Sequence, residues 1–186
     1  MSNDEILSAL LGGDKKEIRL ALQNCGANAV IEGRPVLDWV VSTGNQDAVS
    51  ILLEMGADPN GRSEAQDAAL ISAAYMGELK IVQLLLQAGA DAEAADLDGQ
   101  RALMAAAKGG HLNVVQALVE AGANTACLDA RGRSVLHWSV IEADNEKVVR
   151  YLLDRGAAKH LVSSDGLSAR DYAIKLSRPL SAAQLA

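Results

Sequence analysis

Apolar residues in this chain fall in short helical stripes divided by glycines. Val114, Val115, Leu118 and Val119 are spaced i, i+1, i+4, i+5, which lays them along one face of a helix. An Ala-rich stretch between Gln100 and Gly110 precedes them and predicts a shorter helix. Gly110 divides the two helices and Gly122 closes the second, where a residue tolerant of positive φ is expected. Ahead of the pair, Asp96-Leu97-Asp98-Gly99 predicts a tight turn. Near the start, Ile6, Leu7, Leu10 and Leu11 form another apolar stripe. There Ser2, followed three residues later by Glu5, fits a capping box.

This turn-helix-helix unit recurs. Gly44, Gly77 and Gly110 lie 33 residues apart, as do Gly56, Gly89 and Gly122, each followed by alanine. Gly99 and Gly132 keep the same step. Three landmarks with one period predict a solenoid, in which each unit buries its apolar face against its neighbours. The expected units are 3–30 (an N-terminal cap), 31–60, 61–93, 94–127, 128–160 and a partial 161–186. The first finger should be short, because Gly26 to Gly33 spans 7 residues against 10 from Gly89 to Gly99. One extra residue falls near Ala143-Asp144-Asn145. Ser168 and Asp171 predict a second capping box. Pro179 should stop the helix that holds Tyr172 and Ile174. The segment after it is degenerate, and Ser181 to Ala186 is expected to fray.

Aligned on the glycines, one tetrapeptide position carries Pro35-Val-Leu37-Asp38, Ala68-Ala-Leu70-Ile71, Arg101-Ala-Leu103-Met104 and Ser134-Val-Leu136-His137. With the Asp-x-x-Gly turns and the Gly-Ala endings, this pattern resembles the ankyrin repeat over nearly the whole chain. The family's Thr-Pro-Leu-His keeps only its leucine throughout. Its polar ends survive once, as Ser134 and His137. The resemblance implies an all-α ankyrin-repeat solenoid of stacked helix-turn-helix units with short finger loops.

The chain has 186 residues, 49% of them hydrophobic, and no Phe. Small apolar side chains suit thin helix pairs stacked closely. Net charge is −7, which disfavours nucleic acid as a partner because no basic excess displaces counterions. Residues 1–100 carry 16 acidic and 6 basic side chains, and residues 101–186 carry 8 and 11. A partner with the opposite gradient would be steered into one orientation. Cys25 and Cys127 lie three repeats apart, beyond the reach of a disulfide. They are read as free thiols in a reducing, cytoplasmic setting. The N-terminus shows no signal peptide, and no run approaches the ~18 apolar residues of a membrane span.

No catalytic constellation emerges. His111 and His137 fall at turn and helix-start positions, and His160 in the last finger. No His-x-x-x-His, Gly-x-Ser-x-Gly or phosphate-loop motif is present. Gly12-Gly13-Asp14-Lys15-Lys16 falls at the helix-to-helix turn of the first unit. Asp91, Glu93, Asp96 and Asp98 lack the spacing of a calcium loop and read as a solvated acidic finger. Neither a metal nor a cofactor is expected.

The resemblance implies binding of a protein through finger tips and the exposed side of the first helices. Carried over by position, that surface comprises Arg62, Glu64, Asp67, Tyr75, Met76, Leu97, Asp98, Gln100, Lys108, Ala130, Arg131, Arg133, Ile141 and Glu142. Glu32, Arg34, Ser42 and Thr43 extend it. Tyr75, Met76, Leu97 and Ile141 are expected at its centre, with Arg131 and Arg133 at the rim. Trp39 and Trp138 share one repeat position and read as packing. Asn60 matches the finger asparagine that hydroxylases modify in some ankyrin proteins. The expected function is therefore a non-enzymatic protein-interaction module, monomeric on its own. Alternatives are a stoichiometric inhibitor, such as an immunity protein blocking a toxin or enzyme, and the excised repeat region of a larger regulatory protein.

Overall fold

The computed structural model describes residues 1–63 and 68–186. Twelve helices run through the described residues. They are α1 (Asn3–Gly12), α2 (Lys15–Cys25), α3 (Val36–Val41), α4 (Gln46–Glu54), α5 (Ala69–Met76), α6 (Leu79–Gln87), α7 (Ala102–Gly109), α8 (Leu112–Glu120), α9 (Val135–Trp138), α10 (Glu146–Asp154), α11 (Ala169–Lys175) and α12 (Pro179–Gln184). The odd-numbered helices pack one against the next in a row, from α1 to α11. The even-numbered helices form a second row, from α2 to α12. The chain is thus a two-layered all-α solenoid.

The core lies between the rows. Leu37, Leu70, Leu103 and Leu136, the one constant position of the tetrapeptide, are all buried. Each contributes about 1.5–3 kcal/mol of burial, and Leu103→Ala would cost about 2–5 kcal/mol. Ala102 through Ala107 are buried on α7, facing the row that includes Ala73 and Ala74 of α5. Side chains this small let first helices lie close together. Val114, Val115 and Leu118 are buried on α8, and Val119 is half-buried.

Local rules set the helix ends. At Gly110, with φ 74°, the Gly110 and His111 amides donate to the Ala107 and Ala106 carbonyls. This doubly bonded ending satisfies carbonyls that the helix leaves open. Capping boxes form at Ser2/Glu5, Asp14/Glu17, Ser134/His137 and Ser168/Asp171. The Asp14 carboxylate caps the N-terminus of α2, accepting from the Lys16 and Glu17 amides.

The first finger is a true hairpin, β1 (Val30–Ile31) against β2 (Arg34–Pro35). Glu32 and Gly33 make its two-residue turn with φ 53° and 73°, the geometry that suits strand twist in so short a loop. Later fingers close with isolated bridges, such as Ala95 to Arg101 and Leu128 to Ser134.

The C-terminal end corrects one expectation. Ser181 to Ala186 does not fray: α12 forms, and Ser181 and Leu185 are buried. Pro179 ends nothing directly, because α11 already stops at Lys175; it instead starts α12 at a position where its missing N–H costs nothing. The reason is remote. Asp144, from the segment with the extra residue, accepts from the Ser181 and Leu180 amides at 2.7 and 3.0 Å. Partial desolvation raises the Asp144 carboxyl, but these hydrogen bonds and the Arg178 charge hold it below the usual carboxylate range.

Candidate functional site

Several sequence-predicted residues meet on the exposed side of the first-helix row. Tyr75, at the end of α5, is 44% exposed. Its hydroxyl donates to Glu142 Oε1 at 3.2 Å. Glu142 also pairs with Lys108 Nζ at 2.9 Å. The Lys108 ammonium stands 5.0 Å from the Tyr75 ring centroid and 5.6 Å from that of Trp138. The Arg133 guanidinium lies 4.3 Å from the same Trp138 ring. Asp129 ties this end down, accepting from Trp138 Nε1 at 3.0 Å and from Arg133 Nε at 2.6 Å. The Arg178 guanidinium donates to the Glu142 carbonyl at 2.8 Å.

Each contact is modest by itself, about 0.5–1 kcal/mol for an exposed cation–π pair and up to about 1 kcal/mol for an exposed ion pair. Together they brace a Tyr, a Lys, a Trp and an Arg against one another. Side chains ordered beforehand lose less entropy when a partner docks. Met76 stands beside Tyr75, 37% exposed.

The family model for ankyrin repeats (3 copies) matches residues 2–96 and 70–165. This chain belongs to the ankyrin-repeat family. Among solved structures it is similar to an ankyrin repeat domain from Acinetobacter baumannii AYE, with 26% identity and a TM-score of 0.85. That similarity covers 99% of this chain and 97% of the other. No curated protein matches the chain.

Within the ankyrin repeats, the remaining predicted residues divide by what they touch. Leu97 stands free at a finger tip, 74% exposed. Asp98 is exposed, and its carbonyl accepts the Ala130 amide of the next finger at 2.8 Å. The Arg131 side chain is exposed, while its carbonyl accepts Ser164 N–H at 2.8 Å. Gln100 is half-buried, its amide held by Asp96. Arg62 reaches across a repeat to donate to the Ala95 carbonyl at 2.7 Å. Ile141 is half-buried and packs against the core. Glu64 and Asp67 lie outside the described residues. In the first full unit, Ser42 and Thr43 hydroxyls donate to the carbonyls of Trp39 and Val40, and Arg34 lies over Trp39 at 5.0 Å. Glu32 is exposed in the hairpin turn.

Asn60 and the finger acids tie the loops together. Asn60 donates to the Gly89 carbonyl and accepts the Asp91 amide, at 3.0 and 2.8 Å. Glu93 accepts the Asn124 amide at 2.8 Å and faces Arg101 at 3.4 Å. Asp96 accepts from the Asp98 and Gln100 amides. Among the described residues no three His, Cys, Asp or Glu side chains converge on a point that could hold a metal.

The histidines differ. His111 bonds the Tyr75 carbonyl at 2.9 Å and lies over Gly77, where a Cβ would meet its ring at 2.5 Å. Asn145 takes the same place one repeat later, donating to the Ala107 and Lys108 carbonyls and lying over Gly110. His137 is fully buried. Its Nδ1 accepts from the Ser134 amide, so the proton sits on Nε2 and is donated to the Leu167 carbonyl at 3.0 Å. Burial lowers the His137 pKa, against the pull of Asp129 and Asp165. His160 is exposed. Burial pushes the thiols of Cys25 and Cys127 up, so neither is an activated nucleophile.

Sequence reasoning missed Asp129, Trp138 and Arg178 of the cluster. Trp138 read as packing alone, and it is only 7% exposed, yet its ring also carries Lys108 and Arg133. Arg178 was not singled out. The available signal was the repeat register: Tyr75, Lys108 and Ile141 share one position, as do Met76 and Glu142.

Proposed function

We propose that this chain binds a protein partner through its concave face, without catalysis and in the cytoplasm, as a monomer. Ankyrin repeats are generally protein-interaction modules. The observation that carries the reading here is the Tyr75–Lys108–Trp138 stack, braced by Glu142 across three repeats. It braces the exposed Tyr75 ring from beneath, beside exposed Met76. Tyr and Arg are frequent binding hot spots, and Met adapts to irregular partners. Leu97, Asp98, Arg131 and Arg133 extend the contact along the fingers.

The test is affinity capture from source lysate with wild type beside a Tyr75→Ala/Leu97→Ala/Arg131→Ala variant, its fold checked by circular dichroism. A stoichiometric partner captured by wild type and lost by the folded variant supports the concave face. Capture by both moves the interface elsewhere. An enzyme or toxin that is captured and silenced would make the role inhibition.

A further inference from the structure

One cleft on the concave side combines an apolar lining with charged groups at its edge. It lies between the fifth finger and α11, has a volume of about 340 Å³, and is lined by Arg133, Ile141, Asp165, Leu167, Tyr172, Lys175 and Leu176. Its apolar members are Ile141, Leu167, Leu176 and the Tyr172 ring. The ring is fixed, because Tyr172 meets His137 edge-on at 5.4 Å and donates its hydroxyl to Asp165 at 3.0 Å. Leu176 is 38% exposed at the mouth. The space suits one large apolar side chain.

The charge around it leans basic by count: Arg133 and Lys175 line it and Arg131 stands nearby, against the ionised Asp165. Asp165 is the acid of the lining, and its carboxylate is engaged by the Ser163 and Tyr172 hydroxyls. The Ser163 hydrogen bond, first among the causes, holds its carboxyl below the usual range. Lys175 is exposed and forms no direct ion pair among the described residues, but its charge is near enough to help hold the Asp165 carboxyl down. Arg131 stands exposed on the adjoining finger, whose backbone bonds the Ser164 amide. Residues 101–186 hold 11 basic against 8 acidic side chains, whereas residues 1–100 hold 6 against 16. An acidic segment is therefore attracted to this end of the solenoid and repelled by the other.

We propose that this cleft seats a large apolar side chain of an acidic partner segment, whose flanking carboxylates pair with Lys175 and Arg131. The proposal rests on the concave-face reading above and narrows it to one chemistry at one place. The lever is charge complementarity around an apolar socket, as in interfaces where a buried anchor gives affinity and rim charges give orientation and on-rate.

The full chain, immobilised, is used to select a phage-displayed library of random dodecapeptides. The expected winners carry one Leu, Ile, Met, Phe or Trp flanked by Asp or Glu. The selected peptide is then synthesised and its affinity measured for wild type, for Lys175→Glu/Arg131→Glu, and for Tyr75→Ala. Both reversed positions are exposed, so the fold is retained. The double reversal should weaken binding by about tenfold, and the loss should shrink as salt screens the charges. Leu176→Asp should also weaken the same peptide, through lost apolar contact and added like-charge repulsion. Winners without acidic residues, or no enrichment, overturn the proposal. Acidic winners that lose affinity with Tyr75→Ala but not with the charge reversal or Leu176→Asp overturn the cleft and leave the concave face standing. Winners indifferent to all three variants overturn both.

Discussion

Replacing His137 by alanine removes an imidazole that is entirely buried and bonded at both nitrogens. Truncating a buried ring costs about 3–5 kcal/mol through lost packing and the cavity left behind. The Ser134 amide and the Leu167 carbonyl also lose their partner, at about 1–3 kcal/mol for each group that stays dry. Water entering the vacated space returns part of this, so the net expectation is about 3–5 kcal/mol. That is a large share of the ~5–15 kcal/mol typical of a domain. The cost should also depend on pH. Folded His137 binds its proton less readily than the unfolded chain does, because burial disfavours the cation and Nδ1 is already accepting. Below the unfolded value of 6.5 the unfolded state holds more protons, so wild-type stability falls as pH falls until the folded value is reached. The slope is at most about 1.4 kcal/mol per pH unit. His137→Ala lacks this slope. Urea unfolding of both proteins from about pH 7.5 to about pH 5 measures it. The gap between them should narrow toward acid. A gap that stays constant, or a cost under about 1 kcal/mol, would show that His137 is neither held neutral by burial nor a principal tie between the last two repeats.

Asp144→Ala should unravel α12 at a cost of about 1 kcal/mol, the usual loss for a helix N-cap. Amide exchange at 180–185 should accelerate while α5 to α8 stay protected; uniform acceleration would mean that α12 is not a separable unit. The wild-type tie is present above the ordinary carboxylate value of 3.8 and is lost as pH falls through the lower folded value. Gly110→Ala should cost more than Gly122→Ala. Both have positive φ, worth about 1–2 kcal/mol of strain, but only at Gly110 would the new Cβ run into the Asn145 side chain. Equal costs would remove the close approach from the account. Trp138 emission should resist iodide and Trp39 should be the more quenchable, since Trp138 is 7% exposed and Trp39 half-buried; Trp39→Phe isolates the Trp138 signal, and ready quenching there would place the Trp138 ring in solvent.

The repeat was legible because its signals are local. A glycine at a helix end records a backbone angle that other residues resist, so Gly44, Gly77 and Gly110 announced their turns whatever lay beside them. The same holds for the Ser2 and Ser168 capping boxes, whose two hydrogen bonds close within three residues. A constant leucine every 33 residues marked the buried seam. The extra residue near Asp144 could be located but not interpreted. Its side chain acts 37 residues away, on the amide of Ser181.

By itself, then, the sequence determined the period, the helix pairs and the all-α class, because each follows from torsion preference and apolar spacing within one unit. The tertiary structure alone decided which side chains of different repeats meet. Tyr75 reaches Glu142 across 67 positions, and Asn145 replaces a histidine over Gly110 in spite of the shifted count. It also showed that Trp138 serves both packing and the cationic stack. Such contacts depend on how one repeat sits on the next, a geometry set by summed packing along the solenoid and not by any residue type.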